Sequence, residues 1–172
     1  MLMPRFMMVA AGLAAGLAGG GVRGGEAPLP GIELNSPIVC LACIDYAEHL
    51  RQAGFTVTVA RHPESDMPAI KRRLQVPQDL EAVPTAVVDG YFIEGHVPAQ
   101  DIKLLLEKRP TALGLSVPGL PLGAPGREVS TPTCETGCTV LEKESGGTRV
   151  RREPFNTYLV LPEGRTRIWW RH

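Results

Sequence analysis

The sequence predicts an α/β domain of order β-α-β-α-β-β-α over residues 31–113, followed by a hairpin-rich extension. Three observations carry that expectation. Short β-branched runs alternate with stretches whose apolar residues recur at three- and four-residue spacing, so strand and helix signals take turns along the chain. Glycine and proline, 19 and 16 of 172 residues, gather towards the two ends and leave the middle free to fold. A cysteine pair, Cys40-Leu41-Ala42-Cys43, stands where an apolar run, Pro37-Ile38-Val39, gives way to a helical pattern.

The elements follow in order. Arg5 precedes an uncharged run from Phe6 to Ala18, the pattern of a secretory signal segment over 1–27 with cleavage after Ala18 or Ala27. That run is short for a membrane span, and nothing after it could cross a bilayer, so a periplasmic or secreted chain is expected. Ile32-Glu33-Leu34 reads as the first strand. The cysteine helix should run to about Gln52 and stop at Gly54, with Ile44, Ala47 and Leu50 inward. Phe55 to Val59 alternates as a strand, and Asp66 is placed to cap a helix from Met67 to Leu74 that buries Ile70 and Leu74. Ala86-Val87-Val88, the turn Asp89-Gly90 and Tyr91 to Glu94 form a hairpin. Pro98 opens a last helix, Ala99 to Lys108, with Ile102, Leu105 and Leu106 on its apolar stripe.

The extension, 114–172, begins with a Pro/Gly-rich loop over 114–133. Gly146-Gly147 and Pro162 to Arg165 then mark the turns of two hairpins. Eighteen basic residues balance eighteen acidic ones, which excludes nucleic acid and charged membranes as main partners.

Chemistry concentrates at Cys40 and Cys43. Positions i and i+3 at a helix start share a face, and the unpaired N–H groups and positive dipole end there favour thiolate over thiol. Such a pair suits thiol–disulfide exchange or capture of a soft metal ion. As a structural staple it is poor, since so short a loop removes little unfolded-state entropy. His96, at the end of the hairpin, reads either as an imidazole ligand or proton carrier, or as a surface or helix-cap residue. His49 is turned away from both cysteines by the helical period, His62 reads as a loop residue and His172 is terminal. Cys134 and Cys138 leave three readings open: a local disulfide, a resolving pair, or two further metal ligands.

The element order, with its cysteine pair at the first helix, resembles the thioredoxin fold. Val83-Pro84-Thr85 stands before the third strand, where that fold carries a cis-proline facing the cysteines. The runs Thr85 to Ala99 and Ala112 to Gly126, with Ala53-Gly54-Phe55, look like the CopG-type family of secreted thioredoxin-like metal-binding proteins associated with copper resistance. The chain departs from that family's usual Cys-x-Cys-Cys at Ala42, from a Cys-His pair at Val83-Pro84, and from methionines at Leu120 and Arg127. The resemblance implies a protein of copper homeostasis that holds copper(I), with zinc as the other ion, through Cys40, Cys43 and His96. Its partners would then be the metal ion and a periplasmic redox or copper-handling protein. The competing expectation is a thiol–disulfide oxidoreductase in which Cys40 and Cys43 react and Pro84 shapes the docking edge. A third is a divergent member that keeps only an interaction role.

Overall fold

One sheet takes in strands from both halves of the chain. The computed structural model describes residues 28–127, 141–144, 147–150 and 153–172, the two short segments by their backbone alone. Strands β1 (Ile32–Pro37), β2 (Val57–His62), β3 (Thr85–Val88), β4 (Tyr91–Glu94), β5 (Gly114–Ser116), β8 (Asn156–Val160) and β9 (Thr166–Arg171) join in the order β2-β1-β3-β4-β5-β8-β9. Strands β6 (Leu141–Glu144) and β7 (Gly147–Val150) pair with each other as a separate antiparallel hairpin, as the glycine pair predicts. The helices are α1 (Leu41–Gln52), α2 (Met67–Arg73) and α3 (Ala99–Lys108). The parallel β1–β2 pair, the antiparallel β1–β3 pair and the β3–β4 hairpin form the expected thioredoxin-like core.

The period of α1 explains its seat. Cys43, Tyr46, Ala47 and Leu50 recur at helical spacing and are buried, and the last three pack with Ile32 and Leu34 of β1 and Ile102 and Leu105 of α3. Each such fully buried aliphatic side chain contributes about 1.5–3 kcal/mol. Phe92 and Val160 point to the opposite side of the sheet from Ile93 and Leu159, and close a smaller cluster with Val76 and Leu80.

Several expectations need correction. Ile44 is not on the inner face of α1: Tyr46 takes that place, because its ring fills the core while its hydroxyl donates to the Val97 carbonyl at 2.8 Å. Asp66 sits at the N-cap of α2 but makes no capping bond, its carboxylate instead accepting from the Ser65 hydroxyl. Leu74 lies just past α2 and is only half-buried, and the strand expected at Phe55 begins at Val57. His62 ends β2 rather than lying in a loop, and its ring is 2.8 Å from the Asn35 side-chain oxygen. The loop assigned to 114–133 opens with β5, which pairs parallel to β4 and antiparallel to β8. The segment after residue 113 therefore contributes three strands to the main sheet.

Candidate metal and redox site

Cys40 is the N-cap of α1 and Cys43 completes its first turn. The backbone N–H of Cys43 donates to the Cys40 sulfur at 3.3 Å, so the sulfur accepts one of the bonds the helix start leaves open. The two cysteines form a disulfide across a Cα separation of 5.3 Å. They are not equivalent: Cys40 is half-buried, whereas Cys43 is only 2% exposed. Cys40 is therefore the more accessible residue of the pair.

An apolar collar surrounds the pair. Ile38, Val39, Leu41 and Ile44 all stand more than half exposed, with Val39 at 86%. Beside them lies a groove of about 320 Å³ whose lining includes Ser36, both cysteines, Ile44, Val59, Arg51 and Arg61. No carboxylate lines it.

The Val83–Pro84 peptide bond is cis, as the sequence pattern predicts. Thr85, the next residue, pairs with Asn35 on β1, so Val83-Pro84 lies one step beyond the ladder, towards the strand end that leads into Cys40. Residues 82–85 are gripped from beneath. The Lys71 ammonium bonds to the Ala82 carbonyl, the Thr85 hydroxyl and the Glu94 carboxylate, and Glu94 also accepts from the Ala82 N–H at 2.7 Å. Lys71 and Glu94 are both buried. Burial pushes the Glu94 carboxyl above its ordinary range while the Lys71 charge opposes that shift. Gly95 donates to the Pro84 carbonyl at 2.8 Å, and its φ of +76° with Val117 backbone packed against it leaves no room for a side chain.

His96 is neither a surface nor a cap residue. It is 1% exposed, its ring tilted 38° against that of Tyr46 at 4.8 Å, and its Nδ1 lies 2.6 Å from the Pro125 carbonyl. That distance fixes the proton on Nδ1 and leaves Nε2 as a buried acceptor with no hydrogen-bond partner. Burial is the main cause that pulls its pKa down to about 4, with Arg127 and His49 adding to it and the Pro125 bond opposing. The loop that holds Pro125 sits tight on α1: a Cβ at Gly126 would stand 2.8 Å from the Tyr46 backbone nitrogen. His96 thus meets α1 through Tyr46, three residues beyond Cys43. Among the described residues no three His, Cys, Asp or Glu side chains gather as a metal-ligand group. Cys134 and Cys138 lie outside the described residues.

Sequence reasoning missed other roles. The Nε2 of His49 accepts from the Ala99 N–H at 3.2 Å and so caps α3. His172 is bonded at 2.9 Å to Asp101, which also accepts from Thr157. Lys71 gave no signal at all, since a lysine on a helix is ordinarily solvated.

A family model described as "Protein of unknown function, DUF411" matches residues 80–127, the stretch that runs from the cis-proline through α3 to the loop on α1. Two solved structures of copper resistance protein CopG, in its forms 1 and 2, are similar to the chain at 32% and 33% identity. Each has a TM-score of 0.65 and covers 84% of this chain and 98% of its own. The chain belongs to the CopG-type copper-resistance family. No curated protein matches it. In this CopG-type chain the family-model match lies wholly outside the cysteine pair, so the Cys40–Cys43 geometry is a separate observation on the same fold. No helix among the described residues is long and apolar enough to cross a membrane.

Proposed function

We propose that this protein handles copper in the periplasm or outside the cell, binding copper(I) between the reduced sulfurs of Cys40 and Cys43. The observation that carries the reading is the seat of those two sulfurs. They lie together at one helix start, with Cys40 reachable from solvent, in a chain of a copper-resistance family. Reduction of the disulfide frees two soft donors, and the orphan N–H groups and dipole of α1 favour both as thiolates. Copper(I) is the fitting cargo because two thiolates satisfy it, whereas structural zinc asks for four donors and the described residues gather no third. His96 offers a further soft-ion donor at Nε2 only after a shift of the loop around it, so the reading rests on the cysteines.

An anaerobic copper(I) competition titration of the reduced protein tests this, beside Cys40→Ser and Cys43→Ser. Stoichiometric binding lost in both variants is the expected result. Equal competition by all three proteins would remove the Cys40–Cys43 pair as the copper site, and no competition by the wild type would remove copper as the ligand.

A second reading, thiol–disulfide exchange, is supported by the unequal exposure of the two cysteines. In that reading Cys40 forms the mixed disulfide and Cys43 resolves it. Turnover of a disulfide substrate by the copper-free protein separates it from the first.

A further inference from the structure

The groove beside the disulfide has a composition that neither copper binding nor the fold requires. Both cysteines line it, Cys40 only half-buried, and its lining includes two arginines, Arg51 and Arg61, and no aspartate or glutamate. Arg51 donates to the Val57 carbonyl at 3.2 Å and has Glu48 3.9 Å away at the rim. Arg61, on the sheet-edge strand β2, has no ion-pair partner among the described residues. At about 320 Å³ the space suits a molecule of tripeptide size rather than a protein domain. We infer that this groove is a docking site for a low-molecular-weight thiol that carries carboxylates, and that this thiol reduces the Cys40–Cys43 disulfide.

The chemistry closes without another reagent. The bound thiolate attacks the Cys40 sulfur, a new S–S bond forms to Cys40, and the Cys40–Cys43 bond breaks with its electron pair on Cys43, which takes a proton from water. A second thiol then attacks the mixed disulfide at the small thiol's sulfur, releasing Cys40 as thiolate. Two small thiols are oxidised to their disulfide and the protein pair is reduced to a dithiol. The arginines hold the incoming carboxylates and lower the cost of bringing an anion to the sulfur, while Ile44 and Val59 cover its methylene groups. The inference rests on the disulfide and the groove and holds whether or not the dithiol then takes copper.

The test is the rate of disulfide reduction in metal-free protein, with glutathione as the anionic thiol and cysteamine as the cationic one. Wild type is compared with Arg61→Gln, Arg51→Gln and the conservative Arg61→Lys. Intrinsic thiol reactivity cancels when each thiol's rate is divided by its own rate on the variant. The expected result is a loss of about two- to fivefold with glutathione for each glutamine variant, the size of one screened charge contact. Cysteamine should be unaffected or faster, Arg61→Lys should keep most of the rate, and added salt should shrink the difference. Equal changes for both thiols, or none for either, would overturn the site. Because Arg51 also bonds to Val57, Arg61→Gln decides the matter if Arg51→Gln lowers the thermal midpoint.

Discussion

His96 is held as a neutral imidazole, and that makes it a term in stability against pH. In an unfolded chain it titrates at 6.5, and in the fold its pKa is pulled down to about 4. Between those values the unfolded chain binds the extra proton and the folded one does not. The contribution of His96 is therefore whole above about 6.5 and is lost as pH falls towards 4, by about 2–4 kcal/mol. Glu94, whose carboxyl burial raises, shifts stability in the opposite sense over the acidic range, so the variant comparison matters more than the raw curve. His96→Asn keeps a donor for the Pro125 carbonyl but cannot titrate. Thermal midpoints from pH 7.5 to 4.5 should fall more steeply for the wild type than for His96→Asn; parallel slopes would show that His96 carries no proton linkage. At this scale the sequence was half legible. The closeness of Cys40 and Cys43 at a helix start was legible from their spacing and placement. The burial of His96 did not, because it is made by Tyr46 from α1 and Pro125 from a distant loop.

Between elements, the buried Lys71–Glu94 pair ties α2 to the β3–β4 hairpin and to the segment around Pro84. Lys71→Met leaves the Glu94 charge buried without its partner and should cost about 3–5 kcal/mol. Adding Glu94→Gln should recover part of that loss, since the amide is neutral and its oxygen still accepts from the Ala82 N–H. Urea unfolding of the two single variants and the double closes a mutant cycle, and strictly additive losses would show that the pair is not coupled. The elements themselves were well announced. Helix α3 and strand β4 fall on their expected bounds, and α1 stops before Gly54 at φ +98°. The face of α1 was misjudged because apolarity ranks isoleucine above tyrosine. Ile44 instead stands beside the cysteine pair, where an exposed aliphatic serves a surface rather than a core.

At the scale of the whole molecule, the sheet decides how the chain unfolds. Strand β5 is three residues long and bonds to β4 on one side and β8 on the other, so it stitches the C-terminal strands to the thioredoxin-like core. Sequence patterning could find the β8–β9 hairpin, whose signal is local, but not β5, whose pairing partners are all distant. Side chains reinforce the joint: Asp101 on α3 accepts from Thr157 of β8 at 2.5 Å and from His172 at 2.9 Å, and its carbonyl accepts from the Trp169 indole. Both tryptophans of the protein, Trp169 and Trp170, lie in β9, while the α-helices among the described residues lie elsewhere. Tryptophan fluorescence thus follows the edge strand, whereas far-UV circular dichroism in the helical band follows α1, α2 and α3. If the sheet is one cooperative unit, the two urea transitions coincide. Asp101→Ala, which strips Thr157 and His172 of a shared acceptor, should move both to lower urea together, by an amount equivalent to about 1–3 kcal/mol. A fluorescence transition that ran ahead of the helical one in the wild type would mean that β8 and β9 open as a unit of their own. In that case β5 would be the boundary of the stable core and not the stitch through it.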